Sequence, residues 1–150
     1  MKYLLFTCLF WFSTNLLAVE NMELVITNDN NRLAVYLLNS STEEMLINKR
    51  FALGPASGPN EIALSIKDRN GKDHPFLSKI RLAPAVESDF MMLEVSKLVG
   101  RSFDLDSLET YYGLTSGSYT VKAIYHNGRG SANGGFVGTL ESEAVIVEIQ

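Results

Sequence analysis

The sequence predicts an all-β fold, an antiparallel two-sheet sandwich of about seven to eight strands, and three observations carry this prediction. Past residue 18, apolar residues recur at every second position, which is the period of half-buried strands. Helical spacing is scarce. Clusters of Asn, Asp, Ser, Gly and Pro separate the apolar runs at frequent intervals. Short strands separated by such turn signals are typical of a sandwich.

The first half of the chain carries four predicted strands, each separated from the next by residues that favour a turn. In chain order they are residues 22–27, 33–38, 45–53 and 61–68. Asn- and Ser-rich turns end the first two strands. A loop with two Gly-Pro pairs, residues 54–60, follows the weaker third strand, since proline lacks a backbone donor and glycine accepts positive φ. The fourth strand is the clearest, because Ile62, Leu64 and Ile66 share one face.

The second half supplies four more predicted strands and one crossover. The strands are residues 76–82, 90–96, 118–126 and 136–149. Residues 99–113 are predicted as the crossover, with one 3₁₀ turn at Leu105 and Leu108, because the segment is too short for a free-standing helix. No internal repeat or linker divides the chain, so we predict a single domain.

Residues 1–18 have the pattern of a cleaved signal peptide. Lys2 precedes an almost wholly apolar run at residues 3–12, and a short polar region beginning at Ser13 leads to the small residue Ala18. A retained membrane anchor is the alternative, but it needs about 20 apolar residues to span the hydrocarbon. We therefore predict cleavage after Ala18, export to the periplasm or the extracellular space, and no membrane span in the mature chain.

Removing this segment changes the composition. The full chain has 150 residues, with 13 Lys plus Arg against 17 Asp plus Glu, and a net charge of −4. Taking 18 residues from 150 leaves one predicted domain of 132 residues (19–150) without the single tryptophan, Trp11, and the single cysteine, Cys8. The loss of Lys2 brings the net charge from −4 to −5. The mature chain therefore has no disulfide and no thiolate metal site.

The charge pattern excludes nucleic acid as a partner. A net charge of −5 without a basic run provides no surface for phosphates. Lys49 and Arg50, together with Lys79 and Arg81, are predicted as ordinary outward-facing strand charges.

Residues 114–125 resemble the corner and F strand of immunoglobulin-like and fibronectin-like sandwiches. In those domains a glycine two residues before a tyrosine allows a sharp turn, and the phenol hydroxyl bonds back to the backbone of that turn. Gly117 and Tyr119 match this pattern as a structural corner. Val121 stands where antibody domains place a cysteine, so the resemblance is to the cysteine-free domains of exported bacterial proteins. It implies an immunoglobulin-like fold and little about function, because such sandwiches host unrelated activities.

Candidate catalytic and metal-binding residues are few. His74 and His126 lack a second histidine at ligand spacing, so we interpret both as exposed or edge residues. Asp104, Asp106 and Glu109 place three carboxylates within six residues, which suits calcium in an exported protein and equally suits a solvated crossover. We predict no cofactor, no bound metal and no enzyme activity, and keep a carboxylate- or calcium-dependent enzyme as the least favoured alternative.

The glycine-rich link that begins at Gly128 departs from known catalytic patterns. Arg129 stands where a nucleophile elbow requires its first glycine, and Asn133 stands where a dinucleotide fingerprint requires its last. We interpret the link as a flexible hairpin.

Because the sequence has no clear catalytic pattern and has flexible loops on a rigid scaffold, we predict an exported, non-catalytic module that binds a protein or a glycan through loops at one end of the sandwich. The 54–60 loop would join the glycine-rich link if both lie at the same end. A secreted proteinase inhibitor that presents one rigid loop is the alternative. Self-association through an unpaired outer strand is a further hypothesis. The predicted binding residues are Asn127, Gly128, Arg129, Gly130, Ser131 and Asn133.

Overall fold

The computed structural model describes residues 22–29, 31–128, 132 and 134–150, and this part of the chain is mostly β-structure. The predicted all-β class is confirmed, with nine strands among the described residues instead of seven to eight. The predicted signal peptide, residues 1–18, lies outside this part. The elements are β1 (Met22–Asp29), β2 (Arg32–Asn39), β3 (Met45–Asn48), β4 (Ile62–Asp68), a 3₁₀ turn (Glu87–Asp89), β5 (Phe90–Leu93), β6 (Leu98–Asp104), α1 (Leu105–Tyr112), β7 (Gly117–Asn127), β8 (Gly138–Glu141) and β9 (Val145–Ile149).

The first sheet has the antiparallel order β1-β2-β6. Strand β2 pairs with β6 from Arg32 opposite Asp104 to Leu38 opposite Leu98. Further along the chain, β3 and β5 form a separate antiparallel ladder that begins with Met45 opposite Leu93. The stretch that contains β2 and β3 therefore pairs twice with the stretch that contains β5 and β6, in two consecutive ladders.

Asn39 joins these two ladders. Its backbone N–H donates to Lys97 and its carbonyl accepts from Ser96, at 3.0 and 2.8 Å. Its side-chain amide nitrogen donates to the carbonyls of Glu43 and Leu93, at 2.8 and 2.9 Å. Asn39 is fully buried, and these bonds satisfy the polar groups that burial would otherwise leave unpaired.

The second sheet is built on the long strand β7. Strand β4 pairs with one edge of β7, with Ile62 opposite Tyr125. Strands β8 and β9 pair with successive lengths of the other edge, so the predicted last strand, 136–149, is interrupted. The buried Ser142 lies at the interruption, where its hydroxyl accepts from the backbone N–H of Ala123 at 2.9 Å and its own N–H donates to the Ala123 carbonyl.

Both sheets contribute to one hydrophobic core. Along β7 every second residue is buried, from Tyr119 to Asn127, as the alternation in the sequence predicts. Leu33 and Val35 of β2 belong to the same buried cluster as Ile62 and Ile66 of β4. Each such side chain contributes about 1.5–3 kcal/mol on leaving water, so this shared core holds the sheets together.

Residues 76–82 do not form the strand that the sequence predicts. The ring of Phe76 packs against Tyr111 and Tyr112, with centroids 5.7 and 5.3 Å apart. The backbone N–H of Leu77 donates to the carbonyl of Tyr111 at 2.7 Å. Alternating apolar residues give this segment one half-buried face, but a strand also requires a paired neighbour, and alternation does not supply one.

The predicted crossover at 99–113 is also wrong, because it contains β6 and the eight-residue helix α1. Leu105, Leu108 and Tyr112 are buried on one face of the helix, which ends at Gly113 with a left-handed φ of 61°. A helix of this length is marginal in water, so packing of this face stabilises it.

Two other predicted strands end earlier than expected. The backbone adopts a left-handed φ at Phe51 (46°) and at Ser96 (59°). These conformations lie outside the β region, so the strands predicted at 45–53 and 90–96 stop at Asn48 and Leu93.

Candidate functional site

Two loops that the sequence singles out emerge at the same end of the second sheet. Because Ile62 pairs with Tyr125, the beginning of β4 lies beside the last residues of β7. The 54–60 loop precedes β4, and the glycine-rich link follows β7. We call this region the loop end and define it as the described residues of 54–60, 83–87 and 132–137.

Side-chain contacts hold residues 83–87 close to the other two parts of the loop end. The Arg50 guanidinium donates a short hydrogen bond to the carbonyl of Ala83. The carboxylate of Glu87 accepts from the backbone N–H of Ala132 at 3.5 Å, which is a long hydrogen bond. Three separate stretches of chain are therefore brought together here.

A buried ion pair underlies the loop end. Arg50 Nη2 lies 2.7 Å from Glu61 Oε1, and Arg50 Nε lies 2.9 Å from Glu61 Oε2, so the contact is bidentate. The two side chains are only 19% and 5% exposed. Glu61 also accepts from the Asn48 amide at 3.2 Å and from the Ala52 N–H at 3.1 Å. The hydrogen bond with Glu61 raises the pKa of Arg50.

The prediction that Arg50 is an ordinary outward-facing charge is wrong for this reason. Its acidic partner lies eleven residues away across the 54–60 loop. Contacts between residues on either side of an irregular loop have no characteristic sequence spacing, so the sequence does not predict this pair. The one available signal is Glu61 itself, a carboxylate directly before a strand whose residues are mostly buried.

The same ion pair and its neighbours brace the 54–60 loop. Arg50 Nη2 donates to the carbonyl of Pro59 at 3.0 Å, and the amide of Asn60 donates to the Ile62 carbonyl at 2.7 Å. The N–H of Gly58 closes a turn on Pro55 at 2.9 Å. The loop is held at both ends and across its middle, while its tip is exposed.

The surface of the loop end is apolar at two points. Val86 and Val137 are 59% and 52% exposed. Pro59 and Pro84 are exposed as well. Throughout the described part of the chain, no aromatic side chain belongs to the large apolar residues that are exposed.

The predicted binding residues of the glycine-rich link divide into two groups. Asn127 is buried, and its amide donates to the carbonyl of Phe136 at 2.6 Å, so this side chain closes the base of the link instead of facing solvent. Gly128 is exposed. The remaining four lie outside the described residues: Arg129, Gly130, Ser131 and Asn133.

The corner residues lie at the opposite end of β7 from the loop end. Gly117 begins the strand, and the hydroxyl of Tyr119 donates to the Thr115 carbonyl at 2.8 Å while accepting from the Thr115 N–H at 3.1 Å. The ring of His74 packs edge-on against Tyr119, with centroids 5.3 Å apart. His74 Nε2 lies 4.0 Å from Asp68 Oδ2.

The three candidate carboxylates, Asp104, Asp106 and Glu109, do not share one site. Asp104 accepts from Arg32 at 3.0 Å, and Asp106 accepts from Asn31 at 3.4 Å. Asp106 and Glu109 border an open cleft of about 590 Å³ from which Asp104 is absent. Among the described residues, no group of three or more His, Cys, Asp or Glu side chains is arranged to hold a metal ion.

His126 lies on the exposed face of β7, where its Nδ1 is 2.8 Å from the Thr139 hydroxyl on the adjacent strand β8. This contact crosses between paired strands of the second sheet.

Comparison with known proteins gives no relative for this chain: no family model matches it, and neither does any curated protein. Across the residues that the structure describes, no helix has the length and apolarity needed to cross a membrane.

Proposed function

We propose that this protein is an exported, non-catalytic interaction module with an immunoglobulin-like sandwich fold, and that it contacts a protein partner through the loop end. The strand orders β1-β2-β6 and β4-β7-β8, the antiparallel pairing and the corner contact of Tyr119 support the immunoglobulin-like part of the proposal. The signal-like pattern of residues 1–18 supports export to the periplasm or the extracellular space.

The observation that carries the binding proposal is the buried Arg50–Glu61 pair beneath three converging stretches of chain. A contact surface that is already ordered loses less conformational freedom when it binds. The hydrogen bonds of Arg50 to Ala83 and Pro59 order the loop end in this way before any partner arrives.

A protein partner is favoured over a glycan by the chemistry of this surface. The exposed Val86 and Val137 would lose contact with water against an apolar patch of another protein. A sugar-binding platform would present an aromatic face, whereas the exposed apolar side chains of the described loop-end residues are aliphatic.

The setting of Asp104 supports a non-catalytic role for this candidate acid. Asp104 is paired with Arg32, and both side chains are more than 60% exposed. A carboxylate in this setting is solvated, whereas general acids and bases are usually found in clefts.

A secreted proteinase inhibitor is the second candidate function, and the braced 54–60 loop favours it. The Arg50, Asn60 and Gly58 hydrogen bonds hold a short loop with an exposed tip at Ala56 and Ser57, and an inhibitor of this kind requires a rigid loop with an exposed tip. Inhibition of a broad panel of proteases, lost on replacement of this tip, would favour this function over the first.

The experiment compares two surface variants in partner capture. The immobilised mature chain, beginning at Val19, is exposed to the exported protein fraction of its source, and captured proteins are cross-linked and identified. The double variant V86D/V137D places two charges in the loop end and should reduce capture by about ten-fold or more, because an unpaired charge in an interface core is unfavourable.

The control is Ile146→Asp on β9, which adds one charge where V86D/V137D adds two. Ile146 is 58% exposed, close to the 59% of Val86, but it pairs opposite Thr120 in the half of β7 that begins at the corner. Unfolding curves verify that all variants fold. If I146D loses the partner as fully as V86D/V137D, or if neither loses it, the loop end is not the contact surface. Capture that is competed by free glycans would identify a glycan partner instead.

A further inference from the structure

Residues 78–82, which we call the open segment, lie within a predicted strand but pair with no strand in the described part of the chain. They contain neither helix nor turn. Phe76, Ser78 and Leu82 are half-buried, while Lys79 and Arg81 are exposed. Ile80, on the same side as Ser78 and Leu82, is 40% exposed, so the period-two pattern of a strand is incomplete here.

The backbone of the open segment is unpaired within the described part of the chain. No backbone hydrogen bond joins residues 78–82 to another described residue. The nearest anchors lie outside the segment, at the N–H of Leu77 on Tyr111 and at the carbonyl of Ala83 on Arg50. A stretch held at both ends with unpaired N–H and C=O groups between them is a template for an added strand.

The exposed side chains of this stretch combine apolar and basic groups. Leu77 and Ile80 are 60% and 40% exposed, and Lys79 and Arg81 are exposed beside them. No described carboxylate forms a salt bridge with either cation. In a chain whose net charge is −4, these two cations form a local basic site.

The charges of Lys79 and Arg81 determine which kind of partner strand can pair with the open segment. If two copies paired antiparallel about Ile80, Lys79 of each would face Arg81 of the other, and like charges directly opposite one another are destabilising. In a partner strand with carboxylates two residues apart, one carboxylate would instead lie opposite Lys79 and the other opposite Arg81.

We infer that the open segment binds an extended stretch of another protein, in which acidic and apolar residues alternate, by strand addition. The backbone groups of residues 78–82 supply the hydrogen bonds, and Lys79 and Arg81 select the acidic partner. This surface lies outside the loop end, and its recognition does not depend on Val86 or Val137.

The test uses the mature chain and a synthetic peptide of alternating glutamate and valine with blocked ends. A second peptide has lysine in place of glutamate. Binding is followed by fluorescence anisotropy, and amide hydrogen exchange of residues 78–82 is followed by NMR. The acidic peptide should bind and slow exchange at every second amide of the open segment, whereas the lysine peptide should not bind.

Two double variants of equal charge separate local recognition from net charge. K79E/R81E should weaken binding of the acidic peptide by about ten-fold or more, since two favourable contacts become repulsive. K97E/K122E makes the same change in net charge at exposed positions on β7 and before β6, and should leave the affinity within about two-fold. K79A/R81A, which adds no negative charge, should give an intermediate loss.

Three results would overturn this inference. The first is an acidic peptide that leaves the exchange of residues 78–82 unchanged. The second is an equal loss of affinity in the two charge-matched double variants. The third is protection of residues 78–82 in the peptide-free protein that rises with protein concentration together with sedimentation as a dimer, because it would make a second copy the occupant. V86D/V137D should bind the peptide like wild type, so failure of the loop-end proposal is a separate outcome.

Discussion

Two connections on either side of β4 show opposite ways of crossing the surface. Residues 49–61, between β3 and β4, are tied down by the buried Arg50–Glu61 pair and end in a braced loop. Residues 69–86, between β4 and the 3₁₀ turn, include five residues with no backbone hydrogen bond to the described chain. The first connection has partners for its buried ion pair, although Asn60 Oδ1 is buried without one among the described residues. In the second connection the backbone of residues 78–82 has no partner among the described residues.

This difference follows from where each connection places its charge. Glu61 is buried and needs several donors, so it gathers Arg50, Asn48 and the backbone of Ala52 around itself. Lys79 and Arg81 are exposed and form no salt bridge with a described residue. A buried charge orders the chain near it, whereas these exposed charges do not require nearby donors or acceptors.

The largest expected effect comes from removing the carboxylate of the first connection. Glu61→Ala leaves the Arg50 guanidinium largely buried without its partner, which should lower the free energy of unfolding by about 3–5 kcal/mol. Denaturant unfolding measures this change. The loss should be accompanied by faster amide exchange at residues 54–60, because Arg50 no longer holds Pro59.

The exposed Arg32–Asp104 pair provides the matched control. Its Nε–Oδ1 distance is 3.0 Å, but its side chains are 68% and 61% exposed. Arg32→Ala should therefore cost about 0–1 kcal/mol. Equal losses in E61A and R32A would contradict the assignment of the buried pair as the main brace.

The next effect concerns alkaline pH and the anchor of the second connection. Tyr112 packs against Phe76, its hydroxyl accepts from the Leu64 N–H at 3.2 Å, and burial raises its pKa to about 12. The pKa of an unfolded tyrosine is about 10, so this stabilising contribution is complete below pH 10 and is lost as the pH rises through 12. The loss from this residue should reach about 2–3 kcal/mol.

Unfolding curves between pH 8 and 12 test this expectation. Tyr112→Phe should be less stable than wild type at pH 8, by about 1 kcal/mol for the lost hydrogen bond, yet fall less steeply above pH 10. Some slope should remain, because burial also raises the pKa of Tyr125. An unchanged slope in Y112F would show that Tyr112 is not the group responsible.

The smallest effect is expected in the open segment itself. Lys79→Ala and Arg81→Ala remove exposed side chains that have no described salt-bridge partner, so each should change the free energy of unfolding by about 0.5 kcal/mol or less. Denaturant unfolding of both variants measures this. A loss above about 2 kcal/mol would show that these cations brace the second connection as Arg50 braces the first.

The sequence predicted those parts of the fold in which one face of a strand is buried. In β4 and β7 the alternation of apolar residues gave the position of the strand and its inward face, because a period of two has one structural meaning over seven or more residues. At 76–82 the sequence has the same alternation, but this segment pairs with no described strand. Whether a segment finds a partner strand depends on distant parts of the chain, so the alternation alone could not show that residues 76–82 do not form a strand.

The candidate site was predictable only in outline. Glycine and proline marked the 54–60 loop and the link after Asn127, and both emerge at one end of the second sheet. The brace beneath them was missed, since Arg50 and Glu61 meet through the fold rather than through a local motif. Asn127 stays a predicted binding residue, but the sequence alone could not show that its amide donates to the carbonyl of Phe136, because an amide next to glycine favours a turn whichever way it faces.

Asn39 also affects how much variation this fold tolerates. It locks the register of the ladder before it and of the ladder after it, through bonds made by its own backbone and amide. The excursions at residues 40–44 and 94–97 therefore leave and re-enter the paired strands at fixed points. A change in the length of either excursion would therefore have to preserve the bonds that Glu43, Ser96 and Lys97 make with Asn39 if the two ladders are to keep their register.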